Sequence, residues 1–189
     1  MLEKYFKNAS EKFAMPFVLV LAKFQIKPNT VSILGLIIVL LGSYFFYVDN
    51  KFLGIILIFL GSAVDGLDGP YARYQNLVSE KGAVLDSFID RLGELFIWSV
   101  VAIGFTSNDI ELFIVLSILV ASNLIPYIRA KSESYGITNK AGITARPERV
   151  IFAVIFMFFD LDYVFMYIFS LLCWICLLYT SPSPRDALT

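Results

Sequence analysis

Four aspartates stand at helical intervals in two neighbouring apolar stretches of the chain: Asp65 and Asp68 in one, Asp86 and Asp90 in the other. Residues three or four apart lie on the same face of a helix, so each pair forms one acidic stripe. Only residues 74–81 separate the two stretches, and we expect two antiparallel helices whose stripes face each other. Ionisable groups within apolar helices are costly and by default mark functional sites.

A divalent metal site is the chemistry that this set of carboxylates predicts. Four carboxylates cannot all be ionised in a dry site without cations to compensate them. The chain has no histidine, which excludes imidazole catalysis and His-ligated zinc or haem, and oxygen ligands favour Mg²⁺, Mn²⁺ or Ca²⁺. Mg²⁺ usually binds one or two carboxylates together with substrate phosphates, so the expected substrate is a phosphate compound. The alternative is a set of buried ion pairs with Arg73 and Arg91, which are too few to neutralise the carboxylates.

The composition places these helices in a membrane. Apolar residues make up 58% of the 189 residues and charged residues 16%, and the mean hydropathy is +0.76. Soluble domains contain about 45–50% apolar and about 25% charged residues, so a soluble enzyme and a disordered chain are excluded. The net charge of −1 argues against a nucleic-acid partner. We expect an all-α integral membrane protein with six transmembrane helices, over residues 31–47, 52–74, 83–105, 112–128, 150–159 and 163–179.

The two ends of the chain differ from this apolar body. Residues 1–26 carry apolar side chains at helical spacing with lysines around them, which predicts an amphipathic helix lying in the membrane interface. A short helix packed on the bundle is the alternative. Residues 27–180 form the predicted six-helix catalytic domain. From Ser181 the composition changes abruptly, so residues 181–189 are either a flexible tail or a non-native extension.

Basic residues alternate between the two sides of the predicted bundle. They are in excess before the first span and after the second and fourth spans, and acidic residues are in excess after the third and fifth. The positive-inside rule then predicts a multi-pass cell-membrane protein whose two ends face the cytoplasm. The aspartates lie at the cytoplasmic side of the second and third spans.

The acidic stretch resembles the signature of the CDP-alcohol phosphatidyltransferases, DxxDGxxAR-x8-GxxxDxxxD. Residues 65–73 read DGLDGPYAR, and residues 82–90 read GAVLDSFID after eight intervening residues, so every fixed position is occupied. The resemblance implies an enzyme of phospholipid biosynthesis that displaces CMP from a CDP-linked lipid, with an alcohol as the nucleophile. It also implies two divalent ions, Mg²⁺ or Mn²⁺, and a homodimer.

The resemblance also implies roles for single residues. Asp65, Asp68 and Asp86 would be metal ligands, and Asp90 would share in ligation or act as the general base. We favour the base, because a carboxylate crowded by negative charge takes up a proton more readily. For two of the nucleotide-binding residues, at positions 29 and 30, helix capping is an equal alternative. The nucleotide-binding set is Asn29, Thr30, Asp65, Gly66, Asp68, Gly69, Ala72, Arg73 and Gly82.

A second basic cluster, after the fourth span, predicts a phosphorylated acceptor. Arg146 and Arg149 are one helical turn apart, and Arg129 and Lys131 precede them. Arginine binds phosphate through two parallel hydrogen bonds. This stretch resembles the phosphatidylinositol-phosphate and archaetidylinositol-phosphate synthases, which implies inositol 1-phosphate. Glycerol 3-phosphate, serine and free inositol stay open as acceptors, and the arginines could instead serve topology and headgroup contact.

Two further expectations concern the apolar helices. Gly35, Gly42, Gly54 and Gly61 are expected to aid helix packing. A divalent cation transporter is the alternative of another class, because intramembrane carboxylates also line cation pathways. A transporter would carry charges in several spans, whereas here they are concentrated in two. The sequence does not distinguish diacyl from ether-linked lipid tails.

Overall fold

The structure, a computed structural model, describes residues 14–136 and 145–180. Regular secondary structure within these ranges is entirely α-helical, as expected. Most of the residues that predict the amphipathic helix precede residue 14, and the tail follows residue 180, so both predictions fall largely outside the described residues. The helices are α1 (Ala14–Lys23), α2 (Pro28–Tyr47), α3 (Lys51–Asp65), α4 (Asp68–Tyr74), α5 (Glu80–Phe105), α6 (Asp109–Ser134), α7 (Arg146–Phe159) and α8 (Tyr163–Thr180).

Four helical stretches of the described chain are long and apolar enough to cross a membrane: Pro28–Tyr47, Lys51–Tyr74, Asp109–Ser134 and Tyr163–Thr180. Helix α5 has 26 residues, but charged side chains occupy its first half. Helix α7 has 14 residues, about 21 Å at 1.5 Å per residue, against a hydrocarbon core of about 30 Å. All six predicted apolar stretches are therefore helical, and four of them meet the requirements of a membrane span.

The chain divides into two compact units, Met1–Gly93 and Glu94–Thr189. In the first unit the described part of the N-terminal segment, α1, packs through Val18 against Val31 and Tyr71. The opposite side of α1 is also apolar, with Phe17 and Val20 about half exposed. This part of residues 1–26 thus packs on neighbouring helices.

Helices α2 and α3 pack backbone against backbone through four glycines. A Cβ atom added to Gly42 would lie 2.8 Å from the carbonyl oxygen of Gly54, and one added to Gly54 would lie 2.8 Å from that of Gly42. In the same way, a Cβ on Gly61 would lie 2.7 Å from the carbonyl oxygen of Gly35. Small residues allow this approach between membrane helices, so the predicted packing role of these glycines is confirmed.

The second apolar stretch is two helices rather than the one continuous helix expected over residues 52–74. Helix α3 ends at Asp65, a turn follows at Gly66 and Leu67, and α4 begins at Asp68. Pro70 explains the break, because it has no N–H to donate to the carbonyl of Gly66 and its ring would clash with that carbonyl. The first two aspartates therefore stand on opposite sides of a helix break.

The second unit has an aromatic and apolar interior. Helix α6 packs against α8, and the hydroxyls of Ser117 and Ser170 lie 2.9 Å apart between them. The rings of Phe152 and Phe169 stack with 3.8 Å between their centroids, and Trp98 is 1% exposed beside them. Helix α7 thus contributes to the core of this unit although it is short.

Candidate active site

The carboxylates of Asp65, Asp68 and Asp86 converge in the first unit. One carboxylate oxygen from each residue lies within 4.8 Å of the other two. Asp65 is the last residue of α3, Asp68 is the first of α4, and Asp86 lies in the second turn of α5. Asp65 is 3% exposed and the other two are half-buried. The predicted meeting of the acidic helices is confirmed for these three residues.

The donor set of this cluster fits a divalent cation. Each residue supplies a carboxylate oxygen, the ligand that Mg²⁺ and Mn²⁺ prefer. Oxygens around an Mg²⁺ ion at about 2.1 Å lie about 3.0 Å apart when adjacent and about 4.2 Å apart when opposite, so these oxygens, all within 4.8 Å of one another, would draw closer together around one ion. Three like charges at this separation repel one another until a cation lies among them. These three aspartates are the residues that would hold the ion.

Helix α2 contacts two of the three metal-ligand candidates. The hydroxyl of Ser32 donates a 2.5 Å hydrogen bond to Oδ2 of Asp68, and Ser32 is 3% exposed. One turn further along, Gly35 faces Asp65, and a Cβ added there would lie 2.8 Å from both the backbone nitrogen and the Cβ of Asp65. Neither residue was among the predicted site residues.

A cavity of about 140 Å³ adjoins the carboxylate cluster, since Asp68 and Asp86 form part of its wall. A Cβ added to Gly82 would lie 3.0 Å from Oγ of Ser79 and 3.4 Å from Oδ1 of Asn29, so the lack of a side chain at Gly82 keeps this wall open. Six of the nine predicted nucleotide-binding residues line the cavity: Asn29, Asp68, Gly69, Ala72, Arg73 and Gly82.

Three other predicted nucleotide-binding residues lie outside the cavity wall: Asp65, which belongs to the carboxylate cluster, Thr30 and Gly66. Thr30 is exposed beside Asn29, and Gly66 is exposed at the break between α3 and α4. Helix α2 begins at Pro28 with Lys27 as its N-cap, and its cap has no side-chain hydrogen bond. The prediction that Asn29 or Thr30 caps the helix is therefore wrong. Asn29 instead lines the cavity.

The loop between α4 and α5 supplies a wall that was not predicted, residues 77–79. Asn76 has a φ of 55°, a left-handed conformation that asparagine tolerates after a helix end. The N–H of Leu77 then donates to the carbonyl of Ala72 at 2.9 Å. Ser79 accepts a 3.1 Å hydrogen bond from the N–H of Gly82 and so caps α5. In the sequence, a serine just before an apolar run is the usual sign of a helix N-cap, so the start of α5 after Ser79 could have been predicted.

The arrangement of these residues agrees with the family comparison. Residues 25–180 match the family described as CDP-alcohol phosphatidyltransferase. The chain belongs to this family. Its acidic signature contributes the three clustered carboxylates and most of the cavity wall.

Individual members of the CDP-alcohol phosphatidyltransferase family are similar over most of the chain. An archaetidylinositol phosphate synthase of Pyrococcus horikoshii is 36% identical over 156 residues, which cover 82% of this chain and 81% of the relative. The crystal structure of Mycobacterium tuberculosis phosphatidylinositol phosphate synthase with CDP-DAG bound has a TM-score of 0.69 at 26% identity, with 89% of this chain and 88% of that chain covered. The same mycobacterial enzyme in complex with manganese and citrate has a TM-score of 0.69 at 27% identity, with 88% and 83% covered.

Asp90, the fourth aspartate of the family signature, does not join the group of three in the structure. It is half-buried on α5, one helical turn after Asp86 and on the same face. Asp90 therefore stands outside the group of three, one turn from its nearest member along α5.

Among the predicted acceptor-binding residues, Arg149 is buried in an ion pair within the second unit. Its Nε donates to Oε1 of Glu94 at 2.5 Å and its Nη2 donates to Oε2 at 2.9 Å. The two side chains are 3% and 5% exposed. Two parallel hydrogen bonds of this kind fix the guanidinium plane, and they take two of the donors that a phosphate would use.

The other three predicted acceptor-binding residues are more accessible. Arg146 is half-buried and is the first residue of α7. Near the end of α6, Arg129 pairs with Glu133 at 3.1 Å, with side-chain exposures of 49% and 53%. The ammonium of Lys131 lies 4.8 Å from the ring centroid of Tyr135. Of the four, Arg146 and Arg149 share the first turn of one helix, with Arg149 turned into the interior.

Proposed function

We propose that this enzyme transfers the phosphatidyl or archaetidyl group of a CDP-linked lipid to inositol 1-phosphate, with release of CMP. The observation that carries the proposal is the convergence of three signature aspartates beside a cavity walled by other signature residues. Membership of the CDP-alcohol phosphatidyltransferases supports the reaction class. The similarity to an archaetidylinositol phosphate synthase and to phosphatidylinositol phosphate synthases supports the acceptor.

The residues divide the work of the reaction among them. Asp65, Asp68 and Asp86 would hold Mg²⁺ or Mn²⁺, which supplies neutralisation of the pyrophosphate charge and stabilisation of the leaving phosphate. The manganese complex of the mycobacterial relative supports this choice of ion. Arg73, exposed on the cavity wall, is placed to pair with a phosphate of the nucleotide.

The transfer itself exchanges one phosphorus–oxygen bond for another. The acceptor oxygen forms a bond to the lipid-bearing phosphorus while the bond from that phosphorus to the bridging oxygen breaks. The proton of the acceptor hydroxyl passes to the Asp90 carboxylate, and CMP leaves with the bridging oxygen. A half-buried carboxylate one turn beyond Asp86, on the same face of α5, suits this task.

We propose that the phosphate of the acceptor binds at the start of α7. Arg146 stands at the first turn of this helix, where backbone N–H groups and the helix dipole favour an anion. Arg149, fixed by Glu94, supports that turn from the interior. Arg129 and Lys131 add positive charge near the end of α6, where they also suit anionic lipid headgroups.

The membrane arrangement belongs to the same proposal. The catalytic domain comprises residues 27–180, with α5 and α7 as the third and fifth of six spans. Both ends of the chain and the aspartates face the cytoplasm, as the alternation of basic loops predicts. The protein works as a homodimer in the cell membrane. The four apolar helical stretches support membrane insertion.

An assay that resolves the acceptor tests the proposed function. Purified enzyme with a CDP-linked lipid and Mn²⁺ or Mg²⁺ is expected to release CMP and to incorporate radiolabelled inositol 1-phosphate into lipid. Glycerol 3-phosphate, serine and free inositol serve as competing acceptors, and EDTA should stop the reaction because the aspartates then lack their ion. Incorporation of only an unphosphorylated alcohol would overturn the arginine site, and absence of CMP release with any acceptor would favour a transporter.

A further inference from the structure

We infer that helix α2 positions the metal ligands, with Ser32 orienting Asp68 and Gly35 setting the place of Asp65. The inference rests on the proposed function, because it concerns the same metal site. Ser32 and Gly35 are three residues apart and so share one face of α2. Both lie outside the acidic signature: Gly35 precedes Asp65 by 30 residues, and Ser32 precedes Asp68 by 36.

Ser32 is placed to hold the carboxylate of Asp68 in one orientation. Its hydroxyl lies 2.5 Å from Oδ2 of Asp68 and 3.4 Å from the carbonyl oxygen of Pro28. A hydroxyl has one proton to donate, and the much shorter distance assigns it to the carboxylate. Ser32 is 3% exposed, so water does not compete well for this bond. The bond therefore restricts rotation of the Asp68 carboxylate.

Hydrogen bonds of this kind tune metal sites. A carboxylate that ligates a metal is commonly held by a second residue, and loss of that residue typically costs 10–100-fold in metal affinity or activity. The Ser32–Asp68 bond joins α2 to the first residue of α4. It therefore fixes the first turn of α4 just after the helix break.

Gly35 determines how closely the end of α3 approaches α2. A Cβ added at this position would lie 2.8 Å from the backbone nitrogen, 2.8 Å from the Cβ and 2.9 Å from the Cα of Asp65. These atoms belong to the backbone or move with it, so no side-chain rotation relieves the overlap. An alanine would push Asp65 away from α2 by several tenths of an ångström. This shift would change the distance between the carboxylates of Asp65 and Asp68.

Replacing Ser32 with alanine tests the hydrogen bond. Mn²⁺ titrations followed by electron paramagnetic resonance, on purified enzyme without substrate, are expected to show affinity lower by about tenfold or more. The Mn²⁺ concentration for half-maximal CMP release should rise in parallel, while kcat at saturating Mn²⁺ falls less. Ser32→Thr keeps the hydroxyl and should restore the affinity. Ser43→Ala is the matched control, because the Ser43 hydroxyl on the same helix donates to the carbonyl of Val39.

Gly35→Ala and Gly42→Ala form a second pair. Both place a methyl group against the backbone of α3, so both should lower the unfolding temperature by similar amounts. Only Gly35→Ala should also weaken Mn²⁺ binding, because Gly42 faces α3 two turns away from Asp65. Equal loss of affinity in both variants would overturn the role of Gly35.

Failure of the inference and failure of the proposed function look different. If wild-type enzyme binds Mn²⁺ through the aspartates and Ser32→Ala binds it equally well, the positioning role of Ser32 is overturned and the metal site stands. If wild-type enzyme binds no Mn²⁺, or if Asp68→Asn binds it unchanged, the metal site itself is overturned.

Discussion

Replacing Asp90 with asparagine is expected to slow CMP release on the order of 10³-fold, the range that a general base contributes, and to leave Mn²⁺ and CDP-lipid binding nearly unchanged. Asparagine has the same shape but cannot take up the proton of the acceptor hydroxyl. Asp90 stands one turn beyond Asp86 on α5 and outside the group of three carboxylates, so its loss should leave the ion in place. Single-turnover CMP release at saturating Mn²⁺, together with equilibrium binding of CDP-lipid, measures both effects.

Two further variants make the Asp90 result decisive. Asp109→Asn removes an exposed carboxylate in the first turn of α6 and should leave turnover unchanged. Asp86→Asn removes a proposed ligand and should weaken Mn²⁺ binding as well as turnover. If Asp90→Asn weakens Mn²⁺ binding as much as Asp86→Asn does, Asp90 is a ligand rather than the base. Near-normal turnover of Asp90→Asn would exclude both roles.

Replacing Glu94 with alanine is expected to destabilise the protein by about 3–5 kcal/mol, because it breaks a buried ion pair with two parallel hydrogen bonds to Arg149. The side chains of this pair are 3% and 5% exposed, so water reaches the uncovered charge poorly. Thermal unfolding in detergent, followed by the fluorescence of the two tryptophans, measures the loss.

The chain contains a matched control for this experiment. Arg129 and Glu133 form an exposed pair of the same two residue types, four apart on α6. Glu133→Ala should cost only about 0.3–0.5 kcal/mol, the usual value of such a surface pair. The double variant Glu94→Leu with Arg149→Met should recover much of the loss, since apolar residues of similar volume often replace buried ion pairs without penalty. If Glu94→Ala and Glu133→Ala lower the free energy of unfolding by the same amount, the buried pair stabilises the protein no more than the exposed pair does.

The carboxylate cluster could be predicted because its residues lie close together in the sequence. Asp65 and Asp68 are only three residues apart, and a short connection leads to the helix that carries Asp86, so the three stay close in space although a helix break lies between the first two. The helix break at Gly66 could have been predicted from Pro70, but the continuous apolar stretch around it favoured a single helix. Periodicity alone treats an apolar stretch as one helix and does not account for the missing N–H of a proline within it.

The partners of Ser32, Gly35 and Arg149 could not be predicted in this way. Ser32 and Ser43 are both single hydroxyls in the same apolar helix, and only the packed structure separates the one that meets a carboxylate from the one that bonds its own backbone. Arg149 and Glu94 are 55 residues apart. Helical spacing gives the face on which a residue lies but not the helix that covers that face.

Replacing glycine with alanine is a common way to stabilise a helical protein, since alanine is favoured over glycine in helices by about 1 kcal/mol. Along the contact of α2 with α3 the sign of that exchange reverses, because a methyl group at any of the four glycines would lie 2.7–2.8 Å from atoms of the facing helix. Exposed apolar positions of the same two helices, such as Leu41 and Phe59, leave more room for a change of side chain. In this membrane protein, tolerance to substitution is lowest where the side chains are smallest.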